Sequence, residues 1–207
     1  MKKLLLASNS GAVFDLNYTI DGQSKNKAKW AYIITAGMGQ DVSDRVYLDS
    51  TKQRMDELGW DSESMDIAGK TENEVYEMLK DKDIIYVQGG NTFYLLKQTR
   101  ACNFKNVLGK LLTEGKIYIG TSAGSYLMCP TIEMAIWQNR NNFTYHGLKN
   151  FTGLNFVPFG IICHYDKYSN EDKIKIKEKV RNSKYDFKFL ENGQALLVED
   201  NKITLLK

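Results

Sequence analysis

Short, continuous apolar runs alternate along the chain with longer stretches of helical character. Lys3 to Ala7, Trp30 to Thr35, Ile84 to Gln88, Lys116 to Gly120, Phe156 to His164 and Ala195 to Glu199 predict strands. Within them Ile84-Ile85-Tyr86-Val87 and Ile117-Tyr118-Ile119 lack polar alternation, the pattern of strands covered on both faces. Helices are predicted between the strands. Ser43 to Leu58 carries Val46, Leu48, Met55 and Leu58 and closes at Gly59. Thr71 and Glu74 frame a capping box for a helix to about Lys80. Asn103 to Glu114 aligns Val107, Leu108, Leu111 and Leu112 and closes at Gly115. Glu191-Asn192-Gly193 reads as a hairpin signal, with Leu196 to Val198 and Ile203 to Leu205 as its arms. This alternation predicts one α/β domain over residues 1–207, built on a mostly parallel sheet.

Composition narrows the classes of function. The 207 residues are 43% hydrophobic and 26% charged with only two prolines, which excludes a disordered or fibrous chain. Lys and Arg exceed Asp and Glu by 28 to 25, too small an imbalance for a nucleic-acid footprint. The densest basic stretch, Lys173 to Arg181, is interleaved with Glu178 and preceded by Glu171 and Asp172, as on a solvated helix face. Cys102, Cys129 and Cys163 are odd in number and widely spaced, which points to a reducing, cytoplasmic setting. Leu4 to Ala7 is too short for a signal-peptide core, and no apolar run approaches the roughly 20 residues of a membrane span. Neither nucleic acid nor membrane is therefore an expected partner.

The candidate chemistry sits where two strands end. Lys116 to Gly120 runs into Thr121-Ser122-Ala123-Gly124, a Gly-x-Ser-x-Gly turn followed by a short helix through Met128. Such a strand–turn–helix presents a serine Oγ at the sheet edge, and the new helix aims its N–H groups at an oxyanion beside it. Ile84 to Gln88 ends in Gly89-Gly90-Asn91-Thr92, with a helix from Thr92. Gly90 and Ala123 N–H are the expected oxyanion donors, and Gly89, Asn91 and Thr92 the expected substrate contacts. Of the two histidines, His164 closes a strand and is the expected base, with His146 in a polar loop as the alternative. Glu133 is the expected orienting acid, with Asn139 and Asp166 as alternatives. Cys163 adjoins His164, but adjacent strand residues face opposite ways, so it is expected to be a buried thiol. No metal or cofactor is expected, since Cys-x-x-Cys and His-Glu-x-x-His are absent.

Tyr86-Val-Gln-Gly-Gly-Asn-Thr-Phe93, Ile119-Gly-Thr-Ser-Ala-Gly-Ser125, Cys129-Pro-Thr-Ile132 and Cys163-His-Tyr165 together resemble the peptidase E family of serine peptidases, which includes aspartyl dipeptidases and cyanophycinase-like relatives. The resemblance implies a three-layer α/β/α sandwich, similar to flavodoxin and class I glutamine amidotransferases. It also implies cleavage of short peptides near their N-terminus, with Ser122 as nucleophile and His164 as base. Aspartyl dipeptidases of that family carry an acid some fifteen residues after the serine, where this chain has Trp137 and then Asn139. They also carry an aspartate-gripping arginine where this chain reads Tyr168 to Lys173, so strict Asp-x specificity is not expected. The remaining readings are hydrolysis of another amide or ester, or a catalytically silent homologue that binds peptides or small molecules. A monomer and a homodimer are equally compatible with the sequence.

Overall fold

The computed structural model describes residues 2–15, 27–137 and 145–207. Its centre is a seven-stranded sheet in the order β3-β2-β4-β5-β1-β8-β9. β1 (Lys3–Ala7), β2 (Lys29–Ile33), β3 (Asp61–Met65), β4 (Ile84–Val87) and β5 (Ile117–Thr121) run parallel. β8 (Ala195–Glu199) joins β1 antiparallel, and β9 (Lys202–Leu206) closes that edge. The inner strands β1, β4 and β5 consist almost wholly of buried residues, which is why their sequences carry no polar alternation.

Each face of the sheet has its own core. One side packs α4 (Glu72–Leu79), α5 (Thr92–Ala101), α6 (Phe104–Thr113) and α7 (Ala123–Leu127) through Val75, Leu79, Phe93, Leu96, Leu108 and Leu111. The other packs α1 (Ser10–Asp15) and α3 (Val46–Glu57) against Trp30, Tyr32 and Tyr86. Trp30 and Trp60 stack there at 4.3 Å. Burying side chains of this size stabilises the fold by about 1.5–3 kcal/mol each. The result is three layers, α/β/α. The Thr71–Glu74 capping box is present at the start of α4.

Three expectations need correction. The strand read from Phe156 to His164 shortens to β6 (Gly160–Ile162), which pairs with β7 (Phe187–Phe189) in a separate two-stranded sheet. Ser43 to Leu58 begins as a 3-10 turn, Val42–Arg45, before α3. The β8–β9 arms are joined at Asp200, not at Glu191-Asn192-Gly193, which instead forms a turn leading into β8. α2 (Thr35–Met38), α8 (Met134–Trp137) and α9 (Asn170–Arg181) complete the described elements. Among the described residues, no helix is long and apolar enough to cross a membrane.

Candidate active site

Ser122 sits between β5 and α7 with φ 49° and ψ −106°, a conformation costly for any residue with a Cβ. The bend is held from several sides. Ser122 N–H donates to Ala7 O at 3.1 Å, and Ser125 Oγ lies 2.8 Å from both Ala7 O and Gly120 O. Gly124 packs so close to β4 that a Cβ there would meet Val87 O at 2.3 Å, which explains the second glycine of the motif.

His164 reaches this serine. It follows β6 with φ 58°, and its segment is fastened by Cys163 N–H to Tyr126 OH at 3.0 Å and by its own N–H to Ser8 Oγ at 2.8 Å. The imidazole Nε2 lies 3.1 Å from Ser122 Oγ. Its Nδ1 lies 2.7 Å from Asn192 Oδ1, in the turn that leads into β8. Glu133, expected in that place, is exposed, and its backbone N–H bonds Thr131 Oγ1 instead. Its position in the sequence between Ser122 and His164 suggested it, but β8 inserts beside β1 and brings Asn192 to the ring. Asp166 touches the site indirectly: its Oδ1 accepts Asn192 N–H at 2.9 Å. Burial pushes this carboxyl up, but the Asn192 and Asp166 N–H groups and the Lys167 ammonium outweigh it and hold it below the usual carboxylate range. Asn139 lies outside the described residues. Cys163 is buried.

A cleft of about 270 Å³ opens over the serine, lined by Asn9, Ser10, Gln40, Tyr47, Gln88 and the Gly89–Gly90 turn among others. Gly90 adopts φ 145°, and a Cβ there would strike the Ala36 carbonyl group at 2.5 Å, so only glycine fits. Gly90 N–H and Ala123 N–H donate to no described residue. Gly89 N–H, by contrast, is taken by Gln88 Oε1 and Thr121 Oγ1. Asn91 and Thr92, the other expected substrate contacts, are not among the residues that line this cleft. Both are buried, and Asn91 Oδ1 caps α5 through the N–H groups of Phe93 and Tyr94.

The cleft floor went unread in the sequence. The Gln88 amide meets Ser10, Tyr32, Thr51, Tyr86, Thr121 and the Gly89 N–H in one buried network. Burial pushes the Tyr86 hydroxyl up to about 12 and Tyr32 further still. Burial likewise lifts Tyr47 to about 12, against the pull of the Arg45 guanidinium. These phenols therefore stay neutral near pH 7. Asn192 was also missed as a site residue; its only signal was an Asn-Gly dipeptide, which reads as a turn.

The profile of peptidase family S51 matches residues 4–206. An uncharacterized peptidase of Pasteurella multocida is 29% identical over 200 residues, 97% of this chain and 95% of its own. A peptidase E of Shewanella baltica is 33% identical over 144 residues, 69% of this chain and 56% of its own. Among solved structures, a protein from Listeria monocytogenes provisionally assigned to peptidase E superposes with a TM-score of 0.80 at 26% identity, covering 99% of this chain and 98% of its own. A profile match across almost the whole length, on a fold that carries a serine at a strand–helix elbow, leads to one assignment: the chain belongs to peptidase family S51, the peptidase E family, and is a serine-type peptidase.

Proposed function

We propose that the chain hydrolyses short peptides near their N-terminus through an acyl-enzyme formed on Ser122. One observation carries the reading: a single imidazole lies 3.1 Å from a strained serine hydroxyl and 2.7 Å from an amide oxygen. With Asn192 presenting Oδ1, the ring keeps its proton on Nδ1, and Nε2 is left to accept the Ser122 proton. Ser122 Oγ attacks the scissile carbonyl as His164 takes that proton. The oxyanion settles on Gly90 and Ala123 N–H, each donor contributing about 3 kcal/mol. His164 then protonates the leaving amine, and water repeats the cycle to free the acyl group. Strict Asp-x specificity is not part of this reading, because no lysine or arginine is among the described residues that line the cleft. Three free, buried thiols accord with a reducing, cytoplasmic setting.

A second reading has one observation in its favour. The group on Nδ1 is a neutral amide, which stabilises an imidazolium less than a carboxylate does. A homologue that binds peptides without turning them over fits that feature. A fluorophosphonate probe with a panel of Asp-x, Glu-x, neutral and ester substrates separates the two. Labelling that vanishes in Ser122→Ala, with turnover lost alongside, supports the peptidase; an unreactive parent serine supports the silent binder.

A further inference from the structure

The turn that carries Asn192 is tied at two successive peptide groups by side chains from distant parts of the chain. Asn192 N–H donates to Asp166 Oδ1 at 2.9 Å, and Gly193 N–H donates to Asn9 Oδ1 at 3.0 Å. The turn is also closed within itself, by Gln194 N–H to Glu191 O at 3.1 Å and Glu191 N–H to Gln194 Oε1 at 3.0 Å. Asp166 lies in the 3-10 turn that begins directly after His164, and Lys167 N–H donates back to His164 O at 2.9 Å. The segment bearing the imidazole and the turn bearing the amide are thus joined twice, once by Asp166 to Asn192 N–H and once by His164 Nδ1 to Asn192 Oδ1. Asn9 adds a third tether. Its Oδ1 also accepts Ala12 N–H at 3.3 Å, so it ties the turn to the start of α1 while lining the cleft.

The tethers hold the main chain of the turn and so the 2.7 Å reach of Asn192 Oδ1 to His164 Nδ1, on which the ring's tautomer depends because the partner is an amide. A carboxylate offers equivalent oxygens and tolerates rotation about its last bond. An asparagine has one acceptor and one donor end, and the donor end facing Nδ1 would shift the ring proton to Nε2, where it blocks proton transfer from serine. Glu191 is exposed and Asn192 to Gln194 are half-buried, and main-chain bonds flank the turn, Tyr165 N–H to Leu190 O and Ser8 N–H to Gln194 O, both at 2.9 Å.

We infer that Asp166 and Asn9 are positioning residues that clamp the Asn192–Gly193 turn and so keep the His164 proton on Nδ1. The inference rests on the proposed roles of Ser122 and His164, and its test reads the ring directly. With only two histidines, ¹⁵N-imidazole NMR of the full chain resolves His164 from His146. The parent is expected to show His164 protonated on Nδ1. Asp166→Ala and Asn9→Ala populate the Nε2–H form and lower kcat about tenfold, with KM within about twofold. Asp166→Asn keeps an oxygen for the Asn192 N–H and restores both readouts. In an Asn192→Ala background, Asp166→Ala changes kcat less than about twofold, because the two act as one unit. Asp166→Ser, too short to reach the turn, replaces the alanine variant should the latter lose its near-UV spectrum. An unchanged His164 tautomer in Asp166→Ala overturns the inference, as does an equal kcat loss with and without Asn192. A clamped ring beside a serine inert to fluorophosphonate would leave the positioning role standing and sink the peptidase mechanism instead.

Discussion

His146 and His164 share a left-handed backbone, with φ of 47° and 58°, and differ in everything that makes an imidazole reactive. His164 has Ser122 on one nitrogen and Asn192 on the other. His146 packs against the Tyr94 ring at 5.0 Å, and its buried Nε2 has no hydrogen-bond partner among the described residues. Burial and the Lys97 ammonium hold its pKa below the ordinary histidine value, with a hydrogen bond to the Gly39 backbone opposing them. Backbone strain alone therefore says little about function. A base is recognised by what each of its nitrogens faces.

The two imidazoles are expected to differ most when each histidine is exchanged for alanine. His164→Ala is expected to lower kcat/KM about 10³-fold or more, and His146→Ala to change it less than about twofold. The reverse ranking in steady-state assays would transfer the catalytic role to the loop histidine.

A smaller effect comes from changing what faces Nδ1. Asn192→Asp places a carboxylate beside the ring and favours the imidazolium, so the acid limb of the kcat/KM profile is expected to move up by about one pH unit. An unshifted limb would mean that Asn192 does not govern the base.

The smallest effect concerns stability. The folded pKa of His146 lies below its unfolded value, so as pH falls through the ordinary histidine range the unfolded chain takes up the proton first. Stability should drop there and level off below the folded pKa. Melting temperatures at pH 7 and pH 5 are expected to differ less in His146→Phe than in the parent.

The sequence-based expectations succeeded where a local rule was enough. The elbow at Ser122, the Gly89–Gly90 turn, the helix from Thr92 and the Thr71 capping box are set by residues within one turn of each other. They failed where closure of the chain decides. β3 went unread because Asp61-Ser-Glu-Ser-Met65 is an edge strand, mostly solvated, whose apolar content is a single methionine. Asn192 was read as punctuation in a hairpin. Its place beside the imidazole depends on β8 entering antiparallel beside β1, a pairing that no window around residue 192 reveals. Glu133 was favoured for its place in the chain, whereas the folded order of the three groups is Ser122, His164, Asn192.

β1 is paired on one side with β5 and on the other with β8, and Ser8 and Asn9 just beyond it brace His164 and Gly193. The groups gathered at this candidate site thus meet through contacts between stretches far apart in the chain, the kind whose closure costs most chain entropy. Asn192 precedes β8 in the chain, and it is the pairing of β8 with β1 that carries its turn alongside the imidazole.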